Sequence, residues 1–412
     1  MLNIKTIREN PDKIKEGCEK KQVKVDIDLL LELDKKKKEE LEKVETLRAK
    51  QNKLGKDRIS EAKKIKGEIK RIEPELEKNE KEIQNLMLQI PNPPLDDVPV
   101  GDEKDNVVLR EVGGKTKFNF KPKDYLEIAE KLDLIDVKRA AKIAGTRFGY
   151  LKREAALLEF ALINLVFDAL VKQGFAPIIP PVIIKPEMAQ GMGYPEQFNG
   201  DEAYHLEKDN LFLIATAEQA LGTMHSGEIF EEKHLPQRYV GFSTCFRREA
   251  GAYGKDTRGI FRVHQFDKIE MFSYCLPEDS EKEHKFFLEM EEKLMKSLKI
   301  PYRVIQICSG DLGFPAAAKY DIEAWLPSQD CYRETHSTSN CTDFQSRRLN
   351  IRFKKQKTEN KKQLDFVHTV NGTAFAIGRT LIAIIENYQQ KDGSIKVPEA
   401  LQRYLKFKII KR

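Results

Sequence analysis

The stretch FRREAGAYGKDTRGIFRVHQF, which begins at Phe246, places much positive charge among residues that are normally buried. Arg247 and Glu249 are two residues apart, and this spacing predicts both side chains on one face of a strand. After a glycine-rich loop, the same alternation predicts Arg262 and His264 on one face of a second strand. Arginine suits phosphate because its planar fork donates paired hydrogen bonds and keeps its proton. The stretch therefore indicates an anion site, and a surface hairpin held by salt bridges is the alternative.

The elements around this stretch indicate a mixed fold. Residues 125–171 are predicted to be mostly helical, and strand-like runs such as YVGFSTCF, GIFRVHQF and KIEMFSY follow from residue 237. A helix is predicted over 281–298, a strand over 303–310 and a closing helix over 373–389. Strands that follow strands favour an α+β fold with an antiparallel sheet. No G-x-x-x-x-G-K-[ST] or G-x-G-x-x-G string occurs, so a nucleotide would have to be held in another way.

A long charged segment, about 27–90, precedes this region. Its second half carries a heptad seam with spacings of three and four: Ala62, Ile65, Ile69, Ile72, Leu76, Asn79, Ile83 and Leu86. Leu33, Val44, Leu47 and Leu54 fit the same spacing more loosely, and Gly55 interrupts the pattern. Two helices of about thirty residues would form an antiparallel hairpin about 45 Å long. Pro74 is expected to kink the second helix because it removes a helical hydrogen bond.

The turn of this predicted hairpin is strongly basic. Residues 46–71 contain ten lysines and arginines against three acidic residues, although the whole chain has a net charge of only +6. A solvated spacer is the ordinary interpretation of such an arm. A basic tip on a stiff arm also suits a nucleic-acid backbone, and the residues expected to bind it are Arg48, Lys50, Lys53, Lys56, Arg58, Lys63 and Lys64.

Composition limits the class of protein further. A chain of 412 residues exceeds the usual size of one core, and the proline-rich linker from Pro91 predicts an N-terminal domain over 1–100 and a second domain over 101–412. The six cysteines are dispersed, so we expect reduced thiols and no structural zinc. The start MLNIKTIREN lacks the apolar core of a signal peptide, and the apolar run 157–171 is too short for a membrane span. We expect a cytoplasmic protein without a membrane segment.

Taken together, five segments resemble the seryl-tRNA synthetase family of class II aminoacyl-tRNA synthetases. FAPIIPPV resembles motif 1 (near 175–182), the opening stretch resembles motif 2 (near 242–274) and NGTAFAIGRTLIAIIENYQ resembles motif 3 (near 371–389). LIATAEQAL and YRETHSTSNCTDFQSRR resemble the amino-acid and ATP segments, and the arm resembles the tRNA-binding arm. The resemblance implies a class II antiparallel sheet with flanking helices, a coiled-coil arm and a homodimer. It also implies ATP-dependent activation of serine and charging of tRNA(Ser), with tRNA(Sec) as a further substrate.

The resemblance implies residues for binding ATP. Arg247 on the α-phosphate and Arg379 on the γ-phosphate are expected to be the catalytic residues. Glu249 is expected to accept from the adenine amino group and Phe266 to stack on the ring. The implied ATP contacts are Arg247, Arg248, Glu249, Val263, Phe266, Glu334, Thr335, His336, Ser337 and Arg379. Among these, Glu334 and Ser337 offer the hard oxygens that Mg²⁺ prefers.

The resemblance also implies a serine pocket, formed by Thr216, Ala217, Glu218, Glu270, Asn371 and Thr373. A buried group that expects the serine hydroxyl would reject alanine by being left unpaired. Each residue has an ordinary interpretation as well: the TAE triplet is common at helix starts, and Glu270 could simply pair with Lys268 or Arg262.

Two other functions stay open at this point. One is a related ligase that loads amino acids onto carrier proteins, which the arm disfavours. The other is a non-catalytic tRNA-binding relative, which the retained Arg247, Glu249, Glu334 and Arg379 disfavour. Arg248 and the Ile377–Gly378 pair depart from the residues usual in the family, but they remove none that the chemistry needs.

Overall fold

A computed structural model of the chain describes residues 2–54, 58–194, 203–250, 256, 258–355 and 363–412. The chain divides into two compact units, Met1–Pro93 and Pro94–Arg412. The first unit is helical: α1 Ile4–Glu9, α2 Pro11–Lys20, α3 Ile27–Asn52 and α4 Ile59–Gln89.

Helices α3 and α4 form the predicted antiparallel hairpin. The carboxylate of Asp26 caps α3 by accepting from the backbone N–H of Leu29 at 2.8 Å. Near the turn, Val44 packs against Ile65 and Ile69. All eight residues of the predicted seam in α4 are buried or half-buried, so the prediction is confirmed. Asn79, the polar member, is satisfied because its amide donates to the carboxylate of Glu40 at 3.0 Å.

The second unit contains eight α-helices among its described residues, and the two longest have 18 and 19 residues. They are α5 Tyr125–Lys131, α6 Val137–Ala144, α7 Glu154–Val171, α8 Pro186–Met192, α9 Ala217–Thr223, α10 Ser280–Leu298, α11 Phe344–Leu349 and α12 Ile377–Asn387. The helix predicted over 281–298 corresponds to α10. The largest hydrophobic cluster joins α7, α10 and α12 to one face of the sheet, with members such as Leu162, Phe287 and Leu381.

In the described part of the second unit, the strands form one large sheet and four small ones. They are β1 Val107–Val112, β2 Ile135–Asp136, β3 Tyr150–Leu151, β4 Ala176–Ile178, β5 Ile183–Ile184, β6 His205–Leu206, β7 Leu211–Leu213, β8 Ile229–Glu231, β9 Gln237–Phe246, β10 Gln265–Cys275, β11 Tyr302–Gln306, β12 Ala318–Leu326, β13 Cys331–Thr342, β14 Arg352–Lys355, β15 Gln363–Phe366, β16 His368–Ala376, β17 Ile395–Lys396 and β18 Ile409–Ile410. The large sheet has the order β1-β11-β12-β13-β16-β10-β9-β4. Its neighbours are antiparallel except for β4 and β9, which run parallel. The predicted α+β class with an antiparallel sheet is confirmed.

The strand predicted through Arg262 and His264 is wrong. Strand β9 ends at Phe246 and β10 begins only at Gln265. Residue 259 is a glycine with φ +77°, and a Cβ there would lie 1.8 Å from the Tyr125 hydroxyl. That hydroxyl accepts from the backbone N–H of Ile260 at 2.8 Å. A tertiary hydrogen bond therefore holds this segment as a loop, and Arg247 and Glu249 follow the strand instead of lying on it.

The closing helix also begins later than the sequence indicates. Residues 368–376 form β16, and α12 covers Ile377–Asn387. Asn371 and Thr373 are held in the sheet because they pair with Phe272 and Glu270 of β10. Long-range strand pairing therefore overrides the helical pattern at the start of this segment.

Candidate active site

A cavity of about 420 Å³ opens on the face of the large sheet opposite α10. Its wall contains thirteen of the residues predicted for ATP and serine: Thr216, Glu218, Arg247, Glu249, Val263, Phe266, Glu270, Glu334, Thr335, Ser337, Asn371, Thr373 and Arg379. A volume of this size is usual for a site that holds small ligands. Segments that are far apart in the sequence therefore line one cavity.

One part of the wall is a cluster of cations around Glu334. The Arg379 guanidinium donates to the Glu334 backbone carbonyl at 3.1 Å and lies 3.2 Å from its carboxylate. Burial alone would raise the pKa of Glu334, yet its pKa is lowered to about 2 because neighbouring cations outweigh the burial. The main contributions come from Arg379, Lys319 and Arg247. The Glu334 side chain is 48% exposed, but its exposed area faces the cavity, where the surrounding protein still limits its contact with water.

The loop after β9 contributes a second ion pair. Glu249 has a positive φ of 53°, and its carboxylate pairs with Arg262 at 2.6 Å. The Arg247 guanidinium donates to the carbonyl of Ala215 at 3.2 Å and lies 5.3 Å from the centre of the Phe266 ring. Contacts with neighbouring elements thus hold both predicted ligands of the opening stretch at the cavity wall.

Another part of the wall is an acidic pocket centred on Glu218. Its carboxylate accepts from Tyr194 Oη at 2.5 Å, Gln345 Nε2 at 3.0 Å and Asn371 Nδ2 at 3.1 Å. Burial, together with the charge of Glu270, raises the pKa of Glu218 despite these donors. A carboxylate that is buried and met only by neutral donors favours binding a cationic group.

Glu270 lies in the same pocket but has a charged partner. Its Oε2 lies 2.5 Å from Lys268 Nζ and accepts from the Thr216 hydroxyl at 3.2 Å. Thr216 also caps α9, because its hydroxyl accepts from the Glu218 backbone N–H at 3.2 Å. The pairing with Lys268, considered from sequence as an ordinary interpretation, therefore exists inside the cavity itself.

Three predicted residues do not line the cavity. His336 is 1% exposed and lies beside Phe375, and burial lowers its pKa to about 4. Ala217 is fully buried at the start of α9, and Arg248 also lies outside the cavity wall. In strands and helices neighbouring side chains point in different directions, so a contiguous sequence motif includes residues that face away from the ligand.

Two lysines and a tyrosine of the wall were not assigned from the sequence. They are Lys268, Lys319 and Tyr194. Lys319 lies 3.4 Å from Asp321; burial lowers the pKa of the lysine, but the charges of Asp321, Glu334 and Asp311 together outweigh burial and raise it. Each lysine stands two residues before a carboxylate on a strand, and this spacing was a detectable signal. Tyr194 lies 24 residues from Glu218 and gave no such signal.

The wall also contains oxygens suited to Mg²⁺. The carboxylate of Glu334 and the hydroxyl of Ser337 both line it, and Asp321 pairs with Ser337 across β12 and β13. Asp321 Oδ1 is buried without a hydrogen-bond partner among the described residues. This donor set fits a hard cation. Within the described ranges, no three His, Cys, Asp or Glu side chains converge on a metal position, and none of the six cysteines forms a disulfide bond.

The basic tip of the hairpin lies in the first unit. The described residues predicted to bind a nucleic-acid backbone are all exposed: Arg48, Lys50, Lys53, Arg58, Lys63 and Lys64. Two of them pair with acids, Arg48 with Glu73 at 3.0 Å and Arg58 with Glu61 at 3.5 Å. Lys56 lies outside the described residues. Surface pairs of this kind are weak and can be exchanged for phosphate.

None of the described helices combines the length and the apolar character that a membrane span requires.

Both units contain residues that match models of known protein families. The family model "Seryl-tRNA synthetase N-terminal domain" matches residues 1–94, and "tRNA synthetase class II core domain (G, H, P, S and T)" matches residues 203–388. Serine–tRNA ligase of Dictyoglomus turgidum is 47% identical, covering 98% of either chain. The crystal structure of seryl-tRNA synthetase from Pyrococcus horikoshii complexed with ATP has a TM-score of 0.92 at 41% identity, covering 100% of this chain and 99% of that one. The cytoplasmic serine–tRNA ligase of Naegleria fowleri in complex with AMP has a TM-score of 0.88 at 36% identity, covering 98% and 96%.

Proposed function

The chain belongs to the seryl-tRNA synthetase family, and from this premise we propose that it activates L-serine with ATP and transfers the seryl group to the 3′ end of tRNA(Ser). One observation carries the proposal: a cation cluster suited to phosphate and an acidic pocket suited to an amino acid share one cavity. An enzyme that joins a carboxylate to a phosphate needs both sites side by side.

The first reaction is the formation of seryl-adenylate. An oxygen of the serine carboxylate attacks the α-phosphorus of ATP, a new P–O bond forms, and the bond to the β-phosphate breaks to release pyrophosphate. Arg247 stabilises the crowded α-phosphate and Arg379 binds the γ-phosphate, which is catalysis by positioning and charge. Glu249 accepts from the adenine amino group while Phe266 stacks on the ring.

The acidic pocket holds serine during this step. The carboxylates of Glu218 and Glu270 bind the ammonium and hydroxyl groups of serine. Thr216, Asn371 and Thr373 provide further contacts. Mg²⁺ would be held by Glu334 and Ser337, where it would neutralise phosphate charge. The second reaction is attack by the terminal ribose hydroxyl of the tRNA on the seryl carbonyl, which releases AMP.

The experiment is serine-dependent exchange of labelled pyrophosphate into ATP. Arg379→Met should reduce exchange at least 100-fold, the usual effect of removing a group that stabilises transition-state charge. Arg303→Met is the matched control, because Arg303 pairs with Glu323 away from the cavity, and its exchange should stay within about twofold of the unaltered enzyme. A folded protein without serine-dependent exchange would refute the proposal, and charging of a carrier protein instead of tRNA would favour the alternative ligase.

We also propose that the enzyme is a homodimer that uses motif 1. Leu157 and Phe160 of α7 are 50% and 63% exposed, and Ile179, directly after β4, is 82% exposed. Exposed apolar side chains near one another are typical of a subunit interface. Phe160→Glu should convert a dimer into a monomer in light scattering, and an unaltered chain that is monomeric at micromolar concentration would contradict the proposal.

The exposed lysines and arginines of the arm are proposed to bind the tRNA backbone. Contacts with the sugar-phosphate backbone of a tRNA do not depend on its base sequence. We therefore propose that tRNA(Sec) is charged as well as tRNA(Ser). Parallel charging assays with both transcripts test this. The proposed location of the enzyme is the cytoplasm, which fractionation of cells would check.

A further inference from the structure

Lys268 is a buried cation inside the amino-acid pocket, and the proposed function gives it no task. Its side chain is 9% exposed, and the Glu270 side chain beside it is 2% exposed. Their charged atoms are 2.5 Å apart. Lysine is seldom buried so deeply unless it is paired, because taking an ammonium group out of water costs several kcal/mol.

The two carboxylates of the pocket therefore have different electrostatic surroundings. Glu218 receives hydrogen bonds only from neutral groups, and no ion pair reaches it from the described part of the chain. Glu270 receives a cation and the Thr216 hydroxyl, both on its Oε2. Lys268 thus forms a direct ion pair with Glu270, whereas Glu218 has no such partner and experiences the lysine charge only at longer range.

We propose that Lys268 is a positioning residue that sets the specificity of the pocket by neutralising Glu270. Two carboxylates and one ammonium give the pocket one net negative charge, which matches one substrate ammonium. Glu218 then attracts that ammonium. Glu270 serves as a hydrogen-bond acceptor for the neutral serine hydroxyl, with Oε1 left for it. This inference rests on the proposed function, since it assigns tasks within the same serine site.

Without Lys268, two carboxylates would share a dry cavity with no cation. Like charges at close range in a buried site cannot both stay ionised, so the pair would hold a proton. Carboxyls that share a proton would no longer offer the serine hydroxyl a fixed hydrogen-bond acceptor. Serine would then lose its advantage over alanine, which has the same ammonium and lacks the hydroxyl.

The test measures pyrophosphate exchange driven by serine and by alanine. In Lys268→Met, KM for serine should rise roughly 10- to 150-fold, the usual worth of a hydrogen bond to a charged acceptor, and the serine-over-alanine ratio should fall at least tenfold. KM for ATP should stay within about threefold. Lys268→Arg keeps the charge and should recover most of the preference for serine. Lys319→Met is the matched control: it removes the other cavity lysine, and it should raise KM for ATP more than KM for serine.

A double-variant cycle separates charge compensation from a general packing role. Because Lys268 acts through Glu270, the variant carrying both Lys268→Met and Glu270→Gln should be no worse than the poorer single variant. Effects that multiply, or an unchanged serine-over-alanine ratio in Lys268→Met, would overturn the inference. If Lys268→Met does not fold, the double variant, in which residue 270 no longer carries a charge that needs a partner, still gives the comparison with Glu270→Gln. An unaltered enzyme without serine-dependent exchange would instead refute the proposed function.

Discussion

Replacing Tyr194 with phenylalanine tests whether Glu218 attracts the substrate ammonium. The change removes one hydroxyl, which donates to Glu218 Oε2 at 2.5 Å, and leaves the ring in place. A hydrogen bond to a charged group contributes about 1.5–3 kcal/mol, or roughly 10- to 150-fold in affinity. Gln345 and Asn371 continue to donate to the same carboxylate, so we expect the lower end, a rise of about tenfold in KM for serine at pH 7.

The pH dependence of this defect has a definite sign. Burial and the charge of Glu270 already raise the pKa of Glu218, and a lost donor raises it further because the ionised form is less well stabilised. A protonated Glu218 does not attract an ammonium group. The KM defect should therefore shrink as the pH rises from 7 to 9, since more of the carboxyl becomes ionised.

Serine-dependent pyrophosphate exchange at several pH values measures both effects. Tyr274→Phe is the matched control, because the Tyr274 hydroxyl donates to the Leu221 carbonyl at 2.6 Å in a buried cluster away from the cavity wall. It should lower the free energy of unfolding by about 1 kcal/mol and leave KM for serine unchanged. An unchanged KM for serine in Tyr194→Phe, or an equal rise in KM for ATP, would refute the reasoning.

Three further predictions concern the arm and the fold. Deleting residues 30–88 should abolish tRNA charging and spare pyrophosphate exchange, whereas loss of both would mean that the hairpin is needed for folding. Burial raises the pKa of Glu159 to about 8, helped by a hydrogen bond that the protonated Glu159 donates to Asp267, so the folded protein keeps a proton that the unfolded chain loses above its ordinary value of 4.5. Stability should therefore fall as the pH rises from about 4.5 through 8, and Glu159→Gln should flatten this decline in urea melts; an equally steep decline in the variant would contradict it. Gly259→Ala should destabilise the protein by at least about 2 kcal/mol, since φ is +77° and a Cβ there has no space. Gly114→Ala is the control and should not destabilise it, because no atom lies within 4 Å of a Cβ at that position. Equal unfolding midpoints for the two variants would count against this explanation.

The sequence by itself determined the features that depend on local periodicity and on contiguous motifs. The heptad seam from Ala62 to Leu86 predicted the helical hairpin, because spacings of three and four residues place these side chains on one face of a helix. The runs of strand-forming residues predicted the α+β class with an antiparallel sheet. The motifs near 175–182, 242–274 and 371–389 were sufficient to indicate the family, since their order along the chain needs no tertiary information. The domain limits and the tasks of single residues at the site remain predictions.

Only the tertiary structure decided what surrounds each functional group. The hydrogen bond from Ile260 to Tyr125 spans 135 residues and makes a loop where alternation indicates a strand. The donors to Glu218 come from residues 24 to 153 positions away, so no local pattern could reveal that they are all neutral. The compensation of Glu270 by Lys268 matters only because packing excludes water from both side chains, which are 2% and 9% exposed. Burial sets the strength of a charge interaction, and burial is a property of the packed chain and not of any segment.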